Sequence, residues 1–274
     1  MEIEEIAQSL MEKYGQPTTS CEAKPYKCPV CKDSGYVSFE KEIDGMTYSF
    51  SRECECVRAK HAEKLMRASG LGTALEQQTF DRFEEETDMQ KRIKYAAVEY
   101  LAALDAHGDE PRKPWFYIGG NPGSGKTHIC TAICGYLLQH HRSVKYMQWV
   151  SEARRMKAYI NEPDFDTLVD EYIECDVLYI DDLFKARYMV GQPLTPSDAD
   201  IKIAFTILNA RYLQDKPTII SSEWDMIKDL LPADEGTFSR VYERSKAHIL
   251  YIPRDAQNNY RLRRVKALHG SCAV

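Results

Sequence analysis

Apolar positions along the chain change their period several times, and each change predicts an element. Residues 3–14 put Ile3, Ile6, Ala7, Leu10, Met11 and Tyr14 on one side of a short amphipathic helix. Residues 36–52 alternate instead, with Tyr36, Val37 and Phe39 before Asp44–Gly45 and Tyr48 and Phe50 after it. Asp-Gly between alternating runs predicts a β-hairpin. A charged helix is expected over 57–69, a linker around 68–78, and a helix over 89–104, where Met89, Ile93, Ala96, Ala97, Tyr100, Leu101 and Leu104 recur at helical spacing. From residue 115 short apolar runs at 115–119, 144–149, 177–181, 218–221 and 248–252 alternate with helical stretches at 125–140, 150–160, 164–174, 198–213 and 236–245. Strands apolar throughout that alternate with helices predict an α/β fold with a parallel sheet covered on both faces. The expected division is a small domain at 1–70 and a larger one at 71–274.

Composition narrows the class. The 274 residues are 43% hydrophobic and 28% charged, enough for one full core and a smaller appendage. No apolar run approaches the roughly 20 residues of a membrane span, and the acidic start lacks a secretory pattern, so a cytoplasmic protein is expected. The net charge of −6 argues against a general nucleic-acid binder, yet residues 240–274 hold eight Lys or Arg against two acids. A basic strip on an acidic chain predicts that anions are met there. Nine cysteines, an odd number, argue against full disulfide pairing, and five fall in the first 56 residues.

Four of those five form two close pairs flanking the hairpin: Cys28 with Cys31, and Cys54 with Cys56. A hairpin would fold the pairs together, and a structural Zn2+ takes four thiolates in a tetrahedron. The single residue inside the second pair is tight, but on an extended strand both side chains would share a face. A domain this small has little core, so a metal would supply folding energy directly. The closed set leaves no position for catalytic water.

The sequence Gly120-Asn121-Pro122-Gly123-Ser124-Gly125-Lys126-Thr127 fits G-x-x-x-x-G-K-[ST], follows an apolar strand and opens the helix "THICTAICGYLL"; these residues and His128 are the expected nucleotide-binding set. That context marks a P-loop, whose backbone amides cradle phosphates while Lys126 reaches the β- and γ-phosphates and Thr127 ligates Mg2+. The run "VLYIDD" ends a later strand in two acids. Asp181 is expected in the Mg2+ shell, and Asp182 is expected to orient or deprotonate the attacking water. At the tip of the 218–221 strand, Ser222 is the candidate for touching the γ-phosphate, with Ser221 as the alternative.

Taken in order, these residues resemble the AAA+ ATPases of the DnaC/DnaI-type helicase-loader group, in particular phage- or prophage-type members. The resemblance rests on "CPVCKDSGYV…RECECVRAK", "SGL…QTFDRFEEE" (69–86), the P-loop with "VLYIDDLF", and "FSRVYERSKAHILYIP…NYRLRR" (238–264). It implies a five-stranded AAA+ core without a separate lid, preceded by a zinc-binding domain. It implies ATP/ADP, Mg2+ and Zn2+ as cofactors. Its implied partners are a DnaB-type replicative helicase, held through the N-terminal region, single-stranded DNA, and further copies of the chain stacked through the ATPase domain. It also implies Arg244 as the finger completing a neighbour's site, with Arg240 as the alternative, and Arg261 as the sensor on the subunit's own nucleotide. Arg154, Arg155, Lys157 and the strip 261–266 are candidate phosphate contacts. The pattern's usual Asn at the sensor strand tip is replaced here by "SSE". An IstB-like accessory ATPase for transposition is the alternative reading; a small-molecule kinase would need an acceptor pocket and an arginine-rich lid, which 128–180 do not supply.

Overall fold

The computed structural model describes residues 26–43, 46–106, 113–185, 188–189, 192–193 and 196–261. The helix expected at 3–14, Cys21 and the basic residues after Arg261 lie outside the described residues. The chain divides into two compact units, residues 1–58 and 59–274, whereas the sequence suggests a division at 70/71.

In the first unit a turn at Cys28–Cys31 leads into an antiparallel hairpin, β1 (Tyr36–Ile43) and β2 (Met46–Glu53). Pairing from Tyr36 with Glu53 through Ile43 with Met46 sets the register of the hairpin. The second cysteine pair does not sit on extended chain, as its spacing suggests. The strand stops at Glu53 and helix α1 (Glu55–Ala68) begins, so Cys56 lies in its first turn. The N–H of Cys54 donates to the Gly35 carbonyl and Val57 N–H to the Cys54 carbonyl, so the chain curls there much as it does at Cys28–Cys31.

The second unit is built on five parallel strands: β3 (Phe116–Gly120), β4 (Val144–Gln148), β5 (Val177–Leu183), β8 (Thr218–Ser222) and β9 (Ile249–Ile252). Their order is β4-β5-β8-β3-β9. A two-residue pair, β6 (Tyr188–Met189) with β7 (Gln192–Pro193), stands apart. Successive strand side chains go to opposite faces, and each face carries its own apolar layer. Trp115, Tyr117, Leu178, Ile180 and Ile220 pack with α5 (Trp149–Ala158), α6 (Asp164–Glu174), α7 (Asp198–Leu213) and α9 (Glu235–Ser245). Phe116, Ile118, Val177, Tyr179 and Ile219 pack with α3 (Asp88–Asp105) and α4 (Lys126–Gln139). One-turn helices α2 (Ala74–Gln77) and α8 (Leu231–Ala233) complete the set. Thr87 and Ser197 cap α3 and α7 through reciprocal capping boxes with Gln90 and Asp200.

A buried cation ties the far end of this sheet. The Arg211 guanidinium, on α7, donates to the carbonyls of Tyr172, Ile173, Cys175, Asp176 and Pro217 and to Thr218 Oγ1. It therefore joins the C-terminus of α6 to the starts of β5 and β8. Burial pulls its pKa down, and the carbonyl dipoles around it favour positive charge.

Candidate functional site

The strand order places β8 between the P-loop strand β3 and the acidic strand β5, so three strand tips meet at one edge. At the tip of β3 the chain must turn against its neighbour. Gly120 has φ +107, and a Cβ there would meet the Ile252 carbonyl at 2.0 Å. Lys126 is buried and its Nζ donates to the carbonyls of Gly120 (2.9 Å) and Asn121 (2.8 Å). Burial lowers its pKa, while Glu223 and Asp182 push the other way. Ser124 Oγ donates to the Asn121 carbonyl, and Asn121 Nδ2 to the Asp255 carbonyl. These two residues shape the loop. Pro122, Gly123, Gly125, Lys126, Thr127 and His128 line the cavity it faces.

Asp181 collects four hydroxyl donors. Tyr179 (2.7 Å), Ser221 (2.6 Å) and Thr127 (3.1 Å) reach its Oδ1, and Tyr146 (3.0 Å) reaches Oδ2. The β5–β8 register shifts between Ile180 and Leu183, and Asp182 sits there at φ +57. A non-glycine residue in that region is held by its surroundings. Here the Asp182 N–H donates to Ser221 Oγ and the carboxylate pairs with Lys185 at 2.6 Å. Lys185 also lies 3.9 Å from Glu223. Ser222 turns away: its Oγ donates to the Leu183 carbonyl and accepts from Trp224 N–H. From this strand tip the buried Ser221 reaches Asp181, and Glu223 lines the cavity.

The cavity has a volume of about 750 Å³. Its second wall comes from the segment before α3, including Gln78, Arg82 and Phe83. His128 supports that wall: its Nε2 bonds to the Thr79 carbonyl at 2.9 Å and its ring meets Phe83 edge-on at 5.2 Å. Gln78 Oε1 and Gln90 Nε2 are buried there without partners. Sequence reasoning did not single out this wall, Glu223, Lys185, or the tyrosines on Asp181. The wall shows in the sequence only as "QTFDRF" before α3, and Tyr179 and Glu223 only as neighbours within "VLYIDD" and "SSE".

The arginines separate. Arg261 lines the cavity, carried by a segment whose Tyr260 N–H donates to the Gly123 carbonyl. A Cβ on Gly123, at φ +71, would run into Asn259 Oδ1 at 2.5 Å, so this closeness requires glycine. Arg244 points inward. Its side chain is 3% exposed, ion-paired with Asp215 and laid over Tyr212. So placed, the guanidinium of the expected finger is engaged by its own subunit rather than presented at the surface. Arg240, one turn earlier, is partly exposed and also faces Tyr212, with a bond to the Gly236 carbonyl. Arg155 and Lys157 pair with Glu171 and Asp200, whereas Arg154 is exposed.

In the first unit, the sulfurs of Cys28, Cys31, Cys54 and Cys56 all lie within 4.8 Å of one another. Cys28–Cys54 is 3.7 Å and Cys31–Cys56 is 3.5 Å. Zinc–sulfur bonds of about 2.3 Å in a tetrahedron put sulfurs roughly 3.8 Å apart, so the set fits Zn2+. The backbone N–H of Cys31 draws the Cys28 thiol down to about 6, the state a metal ligand needs. The bond with Cys31 pushes Cys56 up to about 12. Thr127 Oγ1 and Asp181 Oδ1 form a second donor set, of hard oxygens, which suits Mg2+.

Residues 75–230 match the family described as the bacterial DnaA ATPase domain. The phage-like element PBSX protein XkdC of Bacillus subtilis (strain 168) is 32% identical, over 89% of this chain and 90% of its own. Among solved structures, the DnaC helicase loader aligns at a TM-score of 0.51 and 19% identity, over 65% of this chain and 98% of that one. The replication initiator DnaA bound to AMPPCP and single-stranded DNA aligns at 0.51 and 19%, over 72% of this chain and 56% of that one. The structural likenesses are likenesses of fold.

Proposed function

Because this chain belongs to the family of the bacterial DnaA ATPase domain, with the AAA+ fold and its nucleotide site, we propose that it is an ATP-dependent loader of a replicative helicase. It binds a DnaB-type ring through the four-cysteine unit, stacks with its own copies through the ATPase unit, and helps place the ring on single-stranded DNA in the cytoplasm. The observation that carries this reading is the joining, in one chain, of a four-sulfur module to an AAA+ nucleotide site. A metabolic kinase has no use for the first.

Within the site, Lys126 leaves its loop carbonyls for the β- and γ-phosphates, which restore the charge that burial disfavours. Thr127 and Asp181 hold Mg2+, which neutralises phosphate charge when bound. Asp182, braced by Lys185 and Ser221, orients the attacking water. Arg261 senses the nucleotide of its own subunit. A neighbour's Arg240 completes the site, since extra positive charge stabilises the transferring phosphoryl group.

The test is reconstitution: protein, candidate helicase, single-stranded DNA and ATP, compared with Lys126→Ala and Arg240→Ala. Both variants should bind helicase and fail to load it. Failure of the unmodified protein to bind any replicative helicase, with or without ATP, rejects the reading; recovery of a transposase instead points to the IstB-like alternative.

A further inference from the structure

The hairpin of the first unit sorts its side chains by chemistry. Cross-strand pairing puts Val37 opposite Arg52, Phe39 opposite Phe50, and Lys41 opposite Tyr48 on one face. The other face carries Tyr36, Ser38, Glu40 and Glu42 opposite Glu53, Ser51, Ser49 and Thr47. All three of the carboxylates are thus on one side and both cations on the other. Val37 packs against the cysteines. Beyond it the rings stand in solvent: Phe39 is 46% exposed, Tyr48 47% and Phe50 39%. Phe39 and Phe50 are stacked, centroids 5.8 Å apart at 24°, and the Arg52 guanidinium lies 6.0 Å over Phe39.

From this arrangement we propose that the face is a binding platform for single-stranded nucleic acid, separate from the nucleotide cavity. Exposed rings offer π-faces to unpaired bases of any sequence, and flanking Lys and Arg meet phosphates. Charge complementarity selects this occupant. A polyanion gains from Lys41 and Arg52 and is kept off the reverse face by Glu40, Glu42 and Glu53. A purely apolar protein segment would leave both cations without a counter-charge. The inference does not rest on the loader reading, because it requires neither ATP nor a helicase.

The experiment uses the full-length, zinc-loaded protein without nucleotide, and fluorescence anisotropy of labelled oligo-dT. The Phe39→Ala/Phe50→Ala pair should weaken binding about tenfold or more. Lys41→Ala/Arg52→Ala should reduce the log–log salt slope by roughly 1.4, for two lost phosphate contacts on a single strand. Glu42→Gln should bind at least as well as the parent. Phe39→Leu/Phe50→Leu keeps the apolar surface and removes the rings, and it should lose affinity like the alanine pair. Far-UV circular dichroism and zinc content establish that each variant is folded. Full binding by the leucine pair, or by the alanine pair, overturns the proposal. So does a set of ring variants that keep the oligonucleotide but no longer co-elute with a helicase, which would make this a protein-docking face.

Discussion

The two units of the chain answer the same problem by opposite means. In residues 59–274 both faces of a parallel sheet are sealed by helices, and strands β3 and β8 are buried at every position. In the first unit every residue of β2 is exposed, and among the described residues the buried side chains are gathered at the cysteine cluster. The difference teaches that where the described residues form no apolar layer, a few strong, directional metal–thiolate bonds can replace many weak contacts.

The sharpest way to break this contrast is to remove the metal. Chelation, or Cys28→Ser with Cys54→Ser, should abolish hydrogen-exchange protection across β1 and β2 while leaving the melting of the ATPase unit in place. Loss of protection in both units would refute the division of labour. In the larger unit the corresponding weak point is not a thiol but Arg211. Arg211→Met leaves buried carbonyls without a donor, and urea unfolding should record a loss on the order of 3–5 kcal/mol. Next come the two arginines of α9. Arg244→Ala removes the buried half of a pair with the half-exposed Asp215, and should cost about 1–2 kcal/mol with little effect on turnover per folded molecule. Arg240→Ala should leave stability within about 0.5 kcal/mol and reduce only the turnover that depends on assembly. The smallest effect concerns pH. Burial raises the pKa of Tyr100, Tyr117 and Tyr179 above the ordinary value of about 10. Unfolded tyrosines ionise first, so the stability these rings contribute is complete below pH 10 and is lost as pH climbs above it. The melting temperature of the ATPase unit should start to fall there, while zinc-loaded β1 and β2, which carry no buried tyrosine, keep their exchange protection.

Much of the layered unit could be read from the chain because its signals are local and periodic. Helix α7 spans the expected residues 198–213, and the structure closes its start with the Ser197–Asp200 capping box. The P-loop declares itself by its spacing between an apolar strand and a helix. What escaped was set by contacts between distant positions. Nothing near Arg211 in sequence hints at carbonyls from residues 172–176, and Tyr146 and Tyr179 look like ordinary strand residues until folding brings both onto Asp181. The different surroundings of Arg244 and Arg240 escape the sequence for the same reason. A helix places them one turn apart, and only packing decides which turns inward to Asp215. The cysteine pairs were legible as a set, but the manner of their convergence was not, since the switch from strand to helix at Cys54 has no strong sequence mark.

Arg211 also has a mechanical consequence. It rivets the entry ends of β5 and β8 to α6, whereas the exit ends of the same strands carry Asp181 and Ser221. Strands pinned at one end cannot slide past each other; they can only swing. Displacement of these strands is therefore resisted most at the Arg211 end and least at the tips that carry Asp181 and Ser221.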